Sequence, residues 1–162
     1  MRDEEFKVVA LFIIGFLAIV AVYPYLLEHS VFEPYSEIAI LGSNKKLGGY
    51  PKEVTAGQEF SLFIFLGNHE GSVEYFRVLA KLGTLNSTID NNTPMNAPVL
   101  SEWDFILSNE SNSTSPITLT IPSAGLNQRL VFELYQYNTN SGSFDYQNRW
   151  TQLWLNVTEP LF

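Results

Sequence analysis

The sequence predicts an all-β domain, an immunoglobulin-like sandwich of two sheets and about seven strands, behind one N-terminal transmembrane helix. Three observations carry this. An uncharged run of twenty residues, VVALFIIGFLAIVAVYPYLL, fills Val8 to Leu27. From Ser36 onward apolar and polar residues alternate in short runs, and no stretch keeps a helical period. Turn signals rich in Gly, Asn and Pro separate the runs.

As a helix, the first run spans roughly 30 Å, the thickness of a hydrocarbon core. Apolar residues cover all its faces, whereas a core helix carries one apolar stripe. Pro24 interrupts only the last turn, and Tyr23 and Tyr25 suit the membrane interface. The run exceeds the apolar part of a signal peptide and no A-x-A site follows, so it reads as an uncleaved anchor. Arg2 and Lys7 precede it and the next Lys or Arg is Lys45. The positive-inside rule then assigns residues 1–7 to the cytoplasm, 8–27 to the cell membrane, 28–35 to a linker and 36–162 to an extracellular domain. Gly15 and Ala18 are small enough to let another helix approach closely.

The strands follow in order. SEIAILG (Ser36 to Gly42) is short, and the turn-rich NKKLGGYPKEVTAG follows it. QEFSLFIFLG and SVEYFRVLAKLG flank Asn68-His69-Glu70-Gly71. VLSEWDFILS and PITLTIP alternate cleanly, and QRLVFELYQY and WTQLWLNV close the series. The segment TLNSTIDNNTPMNAP, Thr84 to Pro98, reads as a solvated, mobile loop; Pro94 and the spacing spoil its likeness to a calcium loop.

Composition excludes several chemistries. The chain carries a net charge of −8 and lacks the basic patch of a nucleic-acid protein. Without cysteine it has no disulfide frame, thiolate metal site or thiol nucleophile, so the outer domain relies on its own core. His69 beside Glu70 invites a catalytic or metal reading, but neither a nucleophile nor further ligands accompany it. Asn68 and Gly71 instead suit a reversal of the chain, Asn68 by tolerating a left-handed conformation. Glu102 and Asp104 share a strand face and read as solvated. No cofactor, metal or enzymatic activity is expected.

Five Asn-x-Ser/Thr acceptors, at Asn86, Asn91, Asn109, Asn112 and Asn156, predict N-linked glycans. Trp150, Gln152, Trp154 and Asn156 share one face of the last strand, opposite Leu153, Leu155 and Val157, and Tyr135 and Tyr137 alternate likewise with Leu134. With the leucines inward, the aromatic strip Trp150, Trp154, Tyr135 and Tyr137 faces out as a partner-binding surface.

The segments SEIAILG, GGYPKEVTAGQEF, FLGNHEGSVEYFRVLAK, LVFELYQYN and WTQLWLNVT together resemble a family of archaeal predicted membrane proteins defined by a domain of unknown function, the one numbered sixteen-sixteen. The resemblance covers nearly all of Ser36 to Thr158. It implies membrane spans ahead of an extracytoplasmic β domain at an archaeal cell surface, and brings no catalytic residues. Many members have several spans where this chain shows one. The expected role is that of a non-catalytic accessory or structural subunit of a membrane or cell-envelope complex, in contact with lipid and with other integral membrane or envelope proteins. A surface module for binding glycans or envelope proteins is the alternative. A direct part in the chemistry of a membrane enzyme or respiratory complex is a third reading.

Overall fold

A computed structural model describes residues 2–28 and 33–160, which separate into two units between Glu33 and Pro34. Half of the expected linker, residues 29–32 of 28–35, lies outside the described residues, His29 included.

The first unit is one helix, α1 (Arg2–Glu28). At 1.5 Å per residue its length exceeds the roughly 30 Å of a hydrocarbon core. Its apolar side chains, Phe12, Phe16 and Ile19 among them, remain exposed, and it is long and apolar enough to cross a membrane. Pro24 lies inside the helix, which continues to Glu28.

The second unit is a two-sheet sandwich of immunoglobulin-like kind. Its strands are β1 (Tyr35–Leu41), β2 (Glu53–Thr55), β3 (Glu59–His69), β4 (Glu74–Gly83), β5 (Val99–Leu107), β6 (Ser111–Thr120), β7 (Gly125–Asn138) and β8 (Ser143–Thr158). One sheet has the order β1-β3-β6 and the other β2-β8-β7-β4-β5. Alternation decides what is inside: Leu62, Ile64 and Leu66 of β3, Phe76, Val78 and Ala80 of β4, Leu130, Phe132 and Leu134 of β7, and Leu153, Leu155 and Val157 of β8 meet in a single core.

All seven expected strands are present, and two features extend them. The turn-rich segment holds an eighth, β2, which pairs in parallel with β8. The polar run Ser111–Ser115 belongs to β6, where it pairs with Ile64 to Asn68 of β3.

The Asn68–Gly71 bend also differs from expectation. β3 runs through His69, and the chain then crosses at residues 70–73 from the three-stranded to the five-stranded sheet. Gly71 has the left-handed conformation, with φ of 86°. Asn68 does not; it is a fully buried strand residue. Its Nδ2 donates to the carbonyls of Ser72 (2.9 Å) and Leu107 (2.8 Å), and its Oδ1 accepts from the Glu70 N–H (3.0 Å). A buried amide left unbonded costs about 1–3 kcal/mol, so this asparagine clasps the corner rather than turning it.

Candidate partner interface

On the last strand, Leu153, Leu155 and Val157 point into the core, which turns Trp150, Gln152 and Trp154 outward. Trp154 is 44% exposed. Arg129 of β7, opposite Trp154 in register, lies 5.7 Å from the Trp154 ring and 5.5 Å from that of Trp150. Its Nε donates to Gln152 Oε1 (2.5 Å) and its Nη1 to the Ser87 carbonyl (2.6 Å). Contacts of a cation with two indole faces contribute about 0.5–1 kcal/mol each at such a site and hold both rings in place.

The middle of the same face is not open. Val131 and Glu133 point outward yet are fully buried, because residues 84–98 fold across them. Met95 at the crest of this strap is 1% exposed, and its N–H donates to Glu133 Oε1 (2.5 Å). Lys81 Nζ lies 2.8 Å from Glu133 Oε2 and donates to the Met95 carbonyl (2.9 Å). The Tyr135 hydroxyl donates to Glu133 Oε2 (2.8 Å), and that of Tyr146 to the Asp90 carbonyl (3.0 Å). Burial, followed by the bond to Glu133, raises the Tyr135 phenol well above its usual range. Burial, with Glu133 and Asp90 nearby, raises Tyr146 to about 12. The strap leaves β4 at Gly83, where an added Cβ would come within 2.6 Å of Ser87 Oγ and 2.9 Å of Met95 Sδ. The expected mobile loop is therefore a packed element at its crest.

Tyr137 lies at the far end of the face, with Tyr75 and Phe144 around it at ring distances of 5.8 and 5.4 Å. The Arg77 guanidinium stacks 4.3 Å from the Phe144 ring and makes a two-bond pair with Asp104 at 2.7 and 2.8 Å. The bonds from Arg77, and then from Tyr75, hold Asp104 below the usual carboxylate range. Glu102 lies 3.9 Å from the same arginine, so the carboxylate pair read from the sequence is answered by one cation. The aromatic strip thus shares one face of one sheet but falls into three parts: Trp150 and Trp154 around Arg129, Tyr135 at the strap, and Tyr137 beyond it.

The remaining sequence-predicted residues lie elsewhere. Asn86 and Asn91 are exposed on the strap, Asn109 in the β5–β6 turn and Asn112 on the outer face of β6. Asn156 is half-buried, and its Oδ1 accepts from the Asn127 N–H (2.9 Å). Gly15 and Ala18 are exposed on α1, each in a shallow apolar groove of about 320 Å³. His69 stacks on Tyr35 at 4.6 Å, and its Nδ1 is 2.8 Å from Glu110 Oε2. Among the described residues no three His, Cys, Asp or Glu side chains converge as a metal site. Sequence reasoning missed Arg129 and the Lys81–Glu133 pair; Val131, an apolar residue on the outward register, was the available sign that this face is covered.

The sequence matches the family model described as a domain of unknown function, DUF1616, over residues 30–156. Among curated proteins, none matches this sequence. Of solved structures, the CARDB domain of a Pyrococcus furiosus protein, crystallised in complex with di-metal ions, is similar at 12% identity and a TM-score of 0.47, covering 77% of this chain and 89% of that one. A β-glucosidase from Listeria innocua is similar at 12% identity and a TM-score of 0.44, over 77% of this chain and 16% of the enzyme. A sporulation control protein from Bacillus subtilis matches at 8% identity and a TM-score of 0.44, over 76% of this chain and 49% of its own.

Proposed function

We propose, for a chain that belongs to the DUF1616 family, a domain of unknown function, the role of a membrane-anchored, glycosylated and non-catalytic accessory or structural subunit of an archaeal cell-envelope or membrane complex. α1 spans the cell membrane with the N-terminus in the cytoplasm, and the sandwich stands outside and holds a protein partner. The observation that carries this reading is the Trp150–Arg129–Trp154 cluster. It is a pair of indoles, Trp154 exposed and Trp150 half-buried, pre-set by a guanidinium, the residue types that dominate interface energies. The non-catalytic part is supported by how the charged side chains are used: Asp104 is bonded to Arg77, and His69 to Glu110 under a stacked tyrosine.

Native protein extracted in mild detergent should bring a partner with it. Trp154→Ala should cut partner recovery, because truncating an interface hot spot costs about 2 kcal/mol or more. The variant should keep the thermal unfolding of the wild type, since Trp154 lies outside the core. Unchanged recovery in both Trp154→Ala and Gly15→Leu would sink the reading.

A further inference from the structure

We propose that the open edge of β8 between Trp150 and Trp154 receives an extended, acidic segment of a partner protein as an added β-strand. The proposal rests on the accessory-subunit reading and gives its partner a chemistry.

Backbone groups along a strand point alternately to its two edges. The Asn156 N–H donates to the Lys52 carbonyl of the segment entering β2, at 2.9 Å. The N–H and C=O groups of Trp154, Gln152 and Trp150 have the same parity and therefore point to that edge too. β2 pairs only with Asn156 to Thr158, so it stops short of them. Among the described residues no backbone hydrogen bond joins these three to another segment on that side.

Two other long edges, those of β6 and β5, are guarded. β6 carries the Asn112 acceptor and Pro116 on its outer face, and β5 carries Glu102 and Asp104. Charges, prolines and bulky groups are the usual defences of an edge. Along β8 there is instead a groove on either side of the gap. One, of about 390 Å³, lies between Tyr50, Pro51, Lys52 and Trp154. The other, of about 420 Å³, lies between β1 and the pair Arg149–Trp150.

Charge identifies the occupant. The chain as a whole has a net charge of −8. Yet Lys52 and Arg149 flank this edge, and neither has a carboxylate partner among the described salt bridges, although Glu37 of β1 also lines the second groove. Lys81 and Arg77, farther in, are both paired. An added strand would gain main-chain bonds from Trp150, Gln152 and Trp154, and its acidic side chains would meet Lys52 and Arg149.

The test uses the full chain in detergent micelles and a short fluorescent peptide of alternating Glu and Val, with a control in which Lys replaces each Glu. The acidic peptide should bind at least about tenfold more tightly than the control, and salt should weaken it. Arg149→Glu should weaken the acidic peptide and narrow the preference. Gln152→Pro removes one edge N–H without touching the ladder to β7, and should weaken the acidic peptide about threefold to tenfold. Lys52→Glu serves if the proline variant does not fold. Equal binding of the two peptides, binding of neither, or indifference to Arg149→Glu overturns the proposal. A chain that is dimeric alone and becomes monomeric on Gln152→Pro also overturns it, by giving the edge to a second copy. No native partner is needed for these readings, so failure of the peptide leaves the accessory-subunit reading standing, and failure to recover any native partner sinks only that reading.

Discussion

A carboxylate shut away from water is destabilising unless its oxygens are answered, and Glu133 is answered by Lys81, by the Met95 N–H and by the Tyr135 hydroxyl. This fixes how the neighbouring phenols titrate. Both Tyr135 and Tyr146 have raised pKa values in the folded chain, so folding favours their neutral forms. Their contribution is complete below the ordinary phenol value of 10.0 and is lost as pH rises through the raised values, about 12 for Tyr146. An alkaline titration followed by phenolate absorbance should therefore show a late group of tyrosines. Near-UV circular dichroism should change with that group and not with the early one. A single transition near the ordinary value with no loss of dichroism would contradict it. None of this was legible in the sequence, because Lys81 and Glu133 stand far apart and each sits in an ordinary strand pattern. Asn68 was legible as special, but for the wrong reason: its amide could equally serve a left-handed turn or a buried clasp, and only the crossing of the two sheets distinguishes them.

The core strands were easily read, since alternating Leu, Ile, Phe and Val specify both the element and its inner face. β2 escaped because three residues beside Gly and Pro carry no pattern, and its pairing partner lies at the other end of the domain. The polar half of β6 escaped because its inward positions, Ser113 and Ser115, are half-buried serines. The strap escaped for a related reason: one methionine in a polar segment supplies its anchor. Its packing depends on Gly83, where close approach of Ser87 and Met95 leaves no room for a side chain. Gly83→Val should lift the strap while leaving the sandwich folded. Limited proteolysis should then cut between Thr84 and Pro98 faster than in the wild type, by roughly tenfold if the strap loses about 1.4 kcal/mol. Equal cutting rates would mean that the strap does not depend on that contact.

Across the whole molecule, sugar acceptors and contact surfaces are distributed unevenly. Asn86, Asn91 and Asn112 are exposed with no amide bond holding them, whereas the Oδ1 atoms of Asn109 and Asn156 accept the N–H groups of Gly71 and Asn127. Intact-mass measurement with site mapping on native material should find sugar at Asn86, Asn91 or Asn112 before Asn156. Sugar on Asn156 alone would contradict this ordering, and bare polypeptide throughout would contradict the glycan reading. The long apolar helix and the β domain could be read from the sequence because length and alternation are local properties. Which part of the aromatic strip stays uncovered could not, because that depends on a fold-back between segments with no shared local signal.

The position of β8 also has a consequence in time. It pairs with β2 on one side and β7 on the other, although both precede it in the chain. Until it arrives, β2 has no partner, and Leu130, Phe132 and Leu134 lack the neighbours Leu153, Leu155 and Val157 that share their core. During synthesis the earlier strands must wait with a core face unsealed, and a single insertion then closes both sides of the gap at once. Such non-local pairing is slow, on the order of milliseconds to seconds in sandwiches of this kind. For that interval the nascent chain is vulnerable to wrong pairings.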